Sequence, residues 1–248
     1  MSLDISPEHP DGDARPELSA IVLCYRAGDS IHLVIDPLYE QLEAHGASYE
    51  LVLVANYTDG SDDATPGIVR KFASSHENVI VVAGPKRGAM GWDMRSGLAA
   101  ARGEYLIVID GDAQNPVEDV VRMFDEMKSV GADVMKGRRI ARFDGWYRRT
   151  VSLVYNSVFA ILFGTRGLWD INGKPKGLTR SAYEQLDLRS DDWFIDAEIV
   201  LAARSKGLHV AELPVVFRRN DERASFVRFS AVGEFIANML RAKFTRRR

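Results

Sequence analysis

The first 137 residues alternate between short apolar runs and segments whose apolar residues recur at helical spacing. The runs are continuously apolar, which is typical of strands that are covered on both faces. Helical segments between successive strands indicate βα units. We therefore predict an α/β fold, with a Rossmann-like, mostly parallel sheet and helices on both faces. The predicted strands are 18–25, 49–55, 78–84, 104–110 and 132–137, with a further strand at 208–217.

The composition is that of a soluble globular protein, because 46% of the 248 residues are hydrophobic and 27% are charged. Cys24 is the single cysteine, so an internal disulfide is excluded and a reducing, cytoplasmic compartment is expected. The five histidines are scattered without the spacing of zinc ligands. A formal net charge of -3 argues against a dedicated nucleic-acid binder.

The two ends of the sequence differ in charge. Residues 1–17 carry five acidic residues, one arginine and no apolar core segment, so we predict a disordered tail and no signal peptide. We predict an amphipathic helix over 227–248, which ends in the basic sequence RAKFTRRR. Such an end is typical of a helix C-terminus, where cations favour the helix dipole, but it also suits an anionic membrane surface.

The central chemical motif is VIDGDAQNP at 108–116, where a predicted strand ends in Asp110 and is followed by Asp112 and Gln114. Alternate residues of an extended segment project in the same direction, so three oxygen-bearing side chains face one point. Oxygen ligands suit Mg²⁺ or Mn²⁺, which commonly also hold substrate phosphates. The alternative is an ordinary turn, since Asp, Gly and Asn are common after strands.

Three classes of protein carry such a motif. A dinucleotide-dependent dehydrogenase is excluded because the turn after the first strand, CYRAGDS, contains only one glycine, Gly28. A phosphatase of the haloacid-dehalogenase type is disfavoured because its acidic motif usually lies near the start of the domain. The third class is a nucleotide-sugar transferase.

The sequence resembles the inverting glycosyltransferases of family 2, which have the GT-A fold. Within that family it is most similar to the dolichyl-phosphate mannose synthase and polyprenyl-phosphate glycosyltransferase group. The most specific match is DGDAQNPVE, 110–118, which stands for D-A-D-L-Q-H-P-P-E. The other matches, in order, are TDGSDDAT at 58–65, the glycine-punctuated segment at 86–105, GRR at 137–139, DINGKPKGLTR at 170–180, FIDAE at 194–198 and ELPVVFRR at 212–219. The segment at 170–180 resembles the motif D-x-x-x-G-F-K/R-x-x-R.

The resemblance implies a single GT-A domain over 18–226, with a nucleotide-sugar-binding half at 18–137 and an acceptor-side half at 138–226. It also implies a nucleoside-diphosphate sugar as donor. Asp110, Asp112 and Gln114 would hold Mn²⁺ or Mg²⁺, which stabilises charge on the leaving nucleoside diphosphate. The substrates would be contacted by Tyr25, Asp59, Lys86, Asp110, Lys176 and Arg218, and the catalytic residues would be Asp112, Asp196 and Arg139.

The sequence departs from the family pattern at the nucleotide end. The first turn usually reads Y-N-E, whereas this chain has Tyr25-Arg26-Ala27. The second strand usually ends V-D-D-G-S, and here Thr58 replaces the first of the two aspartates while Asp59 is kept. Uridine and guanosine donors both stay open, and so does a nucleotide-sugar-binding subunit without catalytic activity.

The acceptor decides whether the reaction needs a base. A polyprenyl phosphate is already ionised, whereas a hydroxyl acceptor needs a carboxylate to take its proton. Asp196 is the first candidate base and Glu198 the second, although an acidic residue at 196 is also typical of a helix start. We expect hexosyl transfer to a polyprenyl phosphate, with a glycan or small-molecule hydroxyl as the alternative acceptor.

The segment that follows the fifth predicted strand bears on where the protein acts. Residues 138–149 are rich in arginine and aromatic residues, and residues 151–163 are apolar at helical spacing. This pattern suits either a membrane interface or a buried or dimer-forming helix. A peripheral site at the cytosolic membrane face, a membrane-anchored partner and a homo-oligomer are therefore all expectations.

Overall fold

The computed structural model describes residues 5–6, 15–142 and 169–218, and the side chains of 15–140 and 169–218 within them. The predictions for most of the tail at 1–17, the apolar segment at 151–163 and the helix at 227–248 fall outside these residues.

One sheet of eight strands organises the described residues, in the order β1-β4-β3-β2-β5-β7-β6-β8. Strand β2 pairs in parallel with both β3 and β5, β3 with β4, and β6 with β8. Strands β1 and β7 run antiparallel to their neighbours. The strands are β1 Ile5–Ser6, β2 Leu18–Leu23, β3 Tyr49–Val54, β4 Val79–Val82, β5 Tyr105–Asp110, β6 Val134–Arg142, β7 Lys176–Thr179 and β8 Val210–Phe217.

Helices cover both faces of this sheet. Three of them, α1, α2 and α4, pack their apolar sides on one face, as Leu38, Val69 and Phe124 show. The other three pack on the opposite face through residues such as Leu98 and Ile199. The helices are α1 His32–His45, α2 Thr65–Ala73, α3 Met90–Ala100, α4 Glu118–Val130, α5 Arg180–Leu186 and α6 Ile195–Ser205, and a short 3-10 turn at Gly28–Ile31 precedes α1. The predicted α/β architecture is therefore confirmed.

Strands β1 and β7 are absent from the strands predicted above. Strand β1, Ile5–Ser6, lies within the predicted tail at 1–17 and pairs antiparallel with β4. Strand β7 has the larger effect on the site. It inserts antiparallel between β5 and β6, so the fifth predicted strand does not pair with the fourth. Its sequence, KGLT, is short and begins with a lysine and a glycine, which are depleted in strands. At Gly177 a Cβ atom would overlap the Met127 sulfur on α4, so a larger residue there would displace that side chain.

Two further features concern domain organisation. The predicted boundary at 137 falls inside β6, which runs from Val134 to Arg142, so one sheet spans the described parts of both predicted halves. The predicted strand 18–25 ends at Leu23, and Tyr25 lies in the turn beyond it. Within the described residues, no helix combines the length and the apolar character needed to cross a bilayer.

Candidate active site

The acidic turn, residues 110–114, begins at the carboxyl end of β5 near the middle of the sheet. Asp110 is the last residue of that strand and is paired in register with Leu23 of β2. The Gly111 N–H donates to the Leu23 carbonyl oxygen at 3.0 Å, and a Cβ atom at Gly111 would lie only 2.8 Å from that oxygen. The backbone therefore passes closely over β2, which places the acidic turn at the edge where parallel sheets bind ligands.

Local hydrogen bonds fix the shape of the acidic turn. A carboxylate oxygen of Asp112 accepts from the Gln114 N–H at 3.0 Å, and Ala113 adopts a left-handed conformation with φ of 58°. Gln114 connects the acidic turn to the end of β8, since its side-chain amide donates to the Arg218 carbonyl oxygen at 3.3 Å. The Arg218 N–H donates to the Gln114 carbonyl oxygen at 2.8 Å. These contacts hold the backbone of Arg218 at the acidic turn, and the contact of its guanidinium with a substrate phosphate stays a prediction.

A buried ammonium group lies beside the first aspartate. Lys174 Nζ is 3.8 Å from Asp110 Oδ1 and 3.5 Å from Asp196 Oδ2. Burial favours the neutral form of Lys174, but Asp110, Asp196 and Asp112 outweigh that effect and raise its pKa. The side chain of Lys174 is only 3% exposed, whereas that of Asp110 is 32% exposed. The acidic turn is thus open to solvent at Asp110, and on its buried side it lies against the positive charge of Lys174.

Lys176 and Asp196 form a buried ion pair beneath the sheet edge. Lys176 Nζ bonds to Asp196 Oδ1 and donates to the Ile171 carbonyl oxygen at 3.0 Å. Burial lowers the pKa of Lys176 to about 8, although Asp196 opposes the shift. Burial alone would raise the pKa of Asp196, but Lys174 and Lys176 hold it below its usual value. Lys176 was predicted to contact substrate. In the structure its side chain is fully buried and faces Asp196.

Arg139, predicted to be catalytic, is held by Asp170. Its guanidinium makes a two-point contact with the Asp170 carboxylate. The backbone N–H of Arg139 donates to the same carboxylate at 3.0 Å. The guanidinium also stacks 5.1 Å from the centre of the Phe217 ring. Its orientation is therefore set by protein contacts on β8 and on the loop before β7.

A polar network closes the other end of the site, at the carboxyl ends of β3 and β4. Lys86 Nζ lies 3.8 Å from the centre of the Tyr25 ring and forms an ion pair with Asp93. The Asn56 amide donates to Asp93 at 3.0 Å and its oxygen accepts from the Gly84 N–H. Burial raises the pKa of Asp93, and Lys86 and Asn56 offset that rise in part. Tyr25 and Lys86, both predicted to contact substrate, are thus brought together.

Asp59 lies in a turn beside this network, since the hydroxyl of the preceding Thr58 is 3.4 Å from the Tyr25 hydroxyl. It is exposed in the turn that follows Tyr57, where the Ser61 N–H donates to the Thr58 carbonyl oxygen at 3.0 Å. Its contact with a nucleotide stays a prediction.

The acidic turn fits a divalent cation held together with substrate. Among the described residues, no three Asp, Glu, His or Cys side chains converge as a complete metal cage. Asp110, Asp112 and Gln114 carry two carboxylates and one amide oxygen within five consecutive residues, which form a turn at 111–113 rather than the extended segment expected from the sequence. Mg²⁺ and Mn²⁺ accept such a set because they bind one or two carboxylates and take further oxygens from substrate phosphates.

Sequence reasoning missed several residues that shape this site. Lys174 and Asp170 both lie in the quoted segment at 170–180, but neither was assigned a role. Asp93 lies within the matched segment at 86–105, and Asn56 directly follows the predicted strand at 49–55. Charged or polar residues inside otherwise apolar segments were the available signal, because such residues are rarely buried without a partner.

Comparison with known proteins identifies the family. The model of the family described as glycosyl transferase family 2 matches residues 19–187. Glycosyltransferase AglD of Haloferax volcanii is 27% identical over 86% of this chain and 35% of its own length. Dolichyl-phosphate beta-glucosyltransferase ALG5A of Trichomonas vaginalis is 24% identical over 82% of this chain and 66% of its own length. An undecaprenyl-phosphate 4-deoxy-4-formamido-L-arabinose transferase of Edwardsiella ictaluri is 29% identical over 57% of this chain and 42% of its own length.

Solved structures share the architecture. Glucosyl-3-phosphoglycerate synthase of Mycobacterium tuberculosis, in complex with Mn²⁺, UDP and phosphoglyceric acid, has a TM-score of 0.69 at 17% identity. The match covers 98% of this chain and 87% of that one. Mannosyl-3-phosphoglycerate synthase of Rubrobacter xylanophilus has a TM-score of 0.68 at 15% identity, over 94% of this chain and 74% of that one. These likenesses confirm the predicted GT-A fold.

The chain spans about a third to two thirds of the length of the three curated relatives described above. The family model covers residues 19–187, which is well over half of the sequence, and includes the acidic turn, Arg139 and Lys174. The chain therefore belongs to glycosyl transferase family 2, and the glycosyltransferase family predicted from its motifs is confirmed.

Proposed function

We propose that the protein is an inverting, divalent-metal-dependent glycosyltransferase that moves a hexose from a nucleoside-diphosphate sugar to a polyprenyl phosphate. Family membership and the named relatives, which include dolichyl-phosphate and undecaprenyl-phosphate transferases, support glycosyl transfer to such a lipid.

The donor end of the proposal rests on the acidic turn and its surroundings. Asp110, Asp112 and Gln114 would hold Mn²⁺ or Mg²⁺, which stabilises negative charge on the departing nucleoside diphosphate. Tyr25 and Lys86 follow the carboxyl ends of β2 and β4, on either side of β3, and lie in contact where the base and ribose would bind. Arg218 is linked to the acidic turn through Gln114 and would offer its cation to a phosphate.

The environment of Asp196 supports a phosphate acceptor over a hydroxyl acceptor. This carboxylate is buried and bonded to Lys176, and its second oxygen lies 3.5 Å from Lys174. Because both lysines lower the pKa of Asp196, it is a poor proton acceptor. A hydroxyl acceptor requires a base, whereas a phosphate oxygen is already ionised. The site is therefore better suited to a phosphate acceptor, with Asp196 positioning the lysines.

The proposed acceptor also sets a proposed location. A polyprenyl phosphate lies in a membrane, so we place the reaction at the cytosolic face, with the protein bound peripherally or through a membrane-anchored partner. The basic sequence at 241–248 would contribute by attraction to anionic lipid. Liposomes that contain anionic lipid should bind the full chain and bind a chain truncated after residue 240 more weakly.

A donor screen with Mn²⁺ tests the proposed reaction. Nucleoside diphosphate release is measured for UDP- and GDP-hexoses with a polyprenyl phosphate, with a hydroxyl acceptor and with neither, and the anomeric configuration of the lipid product is determined by NMR. We expect release that depends on lipid and metal, with inversion at the anomeric carbon. No release from any donor by the folded protein would overturn the activity, and release stimulated only by hydroxyl acceptors would overturn the acceptor.

A further inference from the structure

Lys174 lies between the acidic turn and the buried carboxylate of Asp196. It is in the loop that leads from Asp170 into β7, and its ammonium is 3.8 Å from Asp110 Oδ1 on one side. On the other side it is 3.5 Å from Asp196 Oδ2. The charge of Asp112 also acts on it, and Lys176 is the neighbouring like charge.

The position of Lys174 is fixed by close packing. Its carbonyl oxygen sits where a Cβ atom at residue 137 would be, so β6 accepts this loop only because it has Gly137 there. The Gly137 N–H donates to the Pro175 carbonyl oxygen at 2.8 Å. With a side chain only 3% exposed, Lys174 is held inside the protein and faces the acidic turn from behind.

Lys174 is also a departure from the resembled motif D-x-x-x-G-F-K/R-x-x-R. When Asp170 and Lys176 are aligned with the first Asp and the K/R of that motif, Lys174 stands at the glycine. The ammonium beside Asp110 is therefore an addition to the motif.

We propose that Lys174 is a resident counter-cation of the acidic turn, which makes binding of the divalent ion depend on the diphosphate of the donor. This inference rests on the proposed function. A divalent cation that approaches Asp110 and Asp112 is attracted by two carboxylates but repelled by the ammonium behind them. A diphosphate adds negative charge on the open side and offsets that repulsion. Metal and nucleotide then bind as a pair, and either one alone binds weakly.

Binding of Mn²⁺ alone, measured by the electron paramagnetic resonance signal of the free ion, tests this arrangement without any turnover. We expect Lys174→Gln to bind Mn²⁺ about tenfold tighter than the wild type when no nucleotide is present. Lys174→Arg keeps the charge and should bind Mn²⁺ like the wild type. Lys136→Gln is the matched control, since Lys136 is also buried but bonds to Glu212 and to the Trp169 carbonyl oxygen.

Unchanged or weaker Mn²⁺ binding by folded Lys174→Gln would overturn the inference. If circular dichroism shows that this variant does not fold, the wild type decides the question. After subtraction of the Mn²⁺ that UDP or GDP chelates in a protein-free titration, its Mn²⁺ affinity should rise about tenfold or more when nucleotide is added, and an affinity that is the same with and without nucleotide overturns the inference. Failure of Mn²⁺ and both nucleotides to bind together would instead overturn the proposed function.

Discussion

The guanidinium of Arg139 on β6 makes a two-point ion pair with the carboxylate of Asp170. Asp170 adopts a left-handed conformation with φ of 56°, and the Arg139 N–H donates to the same carboxylate. This pair ties the start of the loop that carries Lys174 to the central sheet. The planar fork of arginine matches a carboxylate at two points, which lysine does not.

Arg139→Lys should therefore destabilise the folded protein. We expect the free energy of unfolding to fall by about 1–3 kcal/mol, because one charged hydrogen bond and the stacking on Phe217 are lost. Arg138→Lys is the matched control, since Arg138 lies 3.9 Å from Glu212 and is 42% exposed. That variant should stay within about 0.5 kcal/mol of the wild type in urea denaturation. Equal losses for both variants would contradict a special role for the Arg139–Asp170 pair.

Asp112→Asn tests the placement of the metal site. Removal of one of the two carboxylates should weaken Mn²⁺-dependent binding of the donor by about 100-fold while the fold is kept. Isothermal titration with the donor nucleotide, in Mn²⁺ and in EDTA, measures the metal-dependent part. Asp125→Asn, an exposed position on α4 that pairs with His45, should bind the nucleotide like the wild type. Unchanged donor affinity in Asp112→Asn would refute the assigned site.

The buried Lys176 should give stability a particular pH dependence. Burial lowers its pKa from 10.5 to about 8, so between these values the unfolded chain carries a proton that the folded chain has released. The free energy of unfolding therefore rises with pH in this window. Relative to Lys176→Met, the wild type should gain about 2 kcal/mol between pH 8 and pH 10 in urea denaturation. The raised pKa of Lys174 acts only above pH 10.5 and with the opposite sign. A difference that is constant or falls with pH would contradict this prediction.

Two glycines allow a matched test of the packing around Lys174. In Gly137→Ala the new methyl group overlaps the Lys174 carbonyl oxygen, so we expect a loss of about 1–3 kcal/mol in the free energy of unfolding. In Gly67→Ala the methyl group meets nothing within 4 Å and lies in helix α2, so we expect a gain of about 0.4–1 kcal/mol. Thermal denaturation of both variants measures the contrast. A neutral Gly137→Ala would mean that the loop before β7 is not packed closely on β6.

Local patterns were sufficient for strands β2, β3 and β5 and for the acidic turn. Strands β2, β3 and β5 are continuous apolar runs that can be recognised in the sequence, and Asp110 follows directly from the end of β5. Strand β7 could not be predicted, because a four-residue segment with a lysine and a glycine carries no strand signal. It is formed by pairing with β5 and β6 on either side.

Short segments of the sequence were enough to predict the α/β fold, the family and the acidic turn, because apolar periodicity and ordered motifs are local properties of the chain. The charge arrangement around that turn follows from the three-dimensional packing. This packing placed Lys174 between Asp110 and Asp196, and it buried Lys176. Asp110, the two lysines and Asp196 come from three separate parts of the chain, and their electrostatic interaction depends on distances and burial that arise only when β5, β7 and α6 pack together.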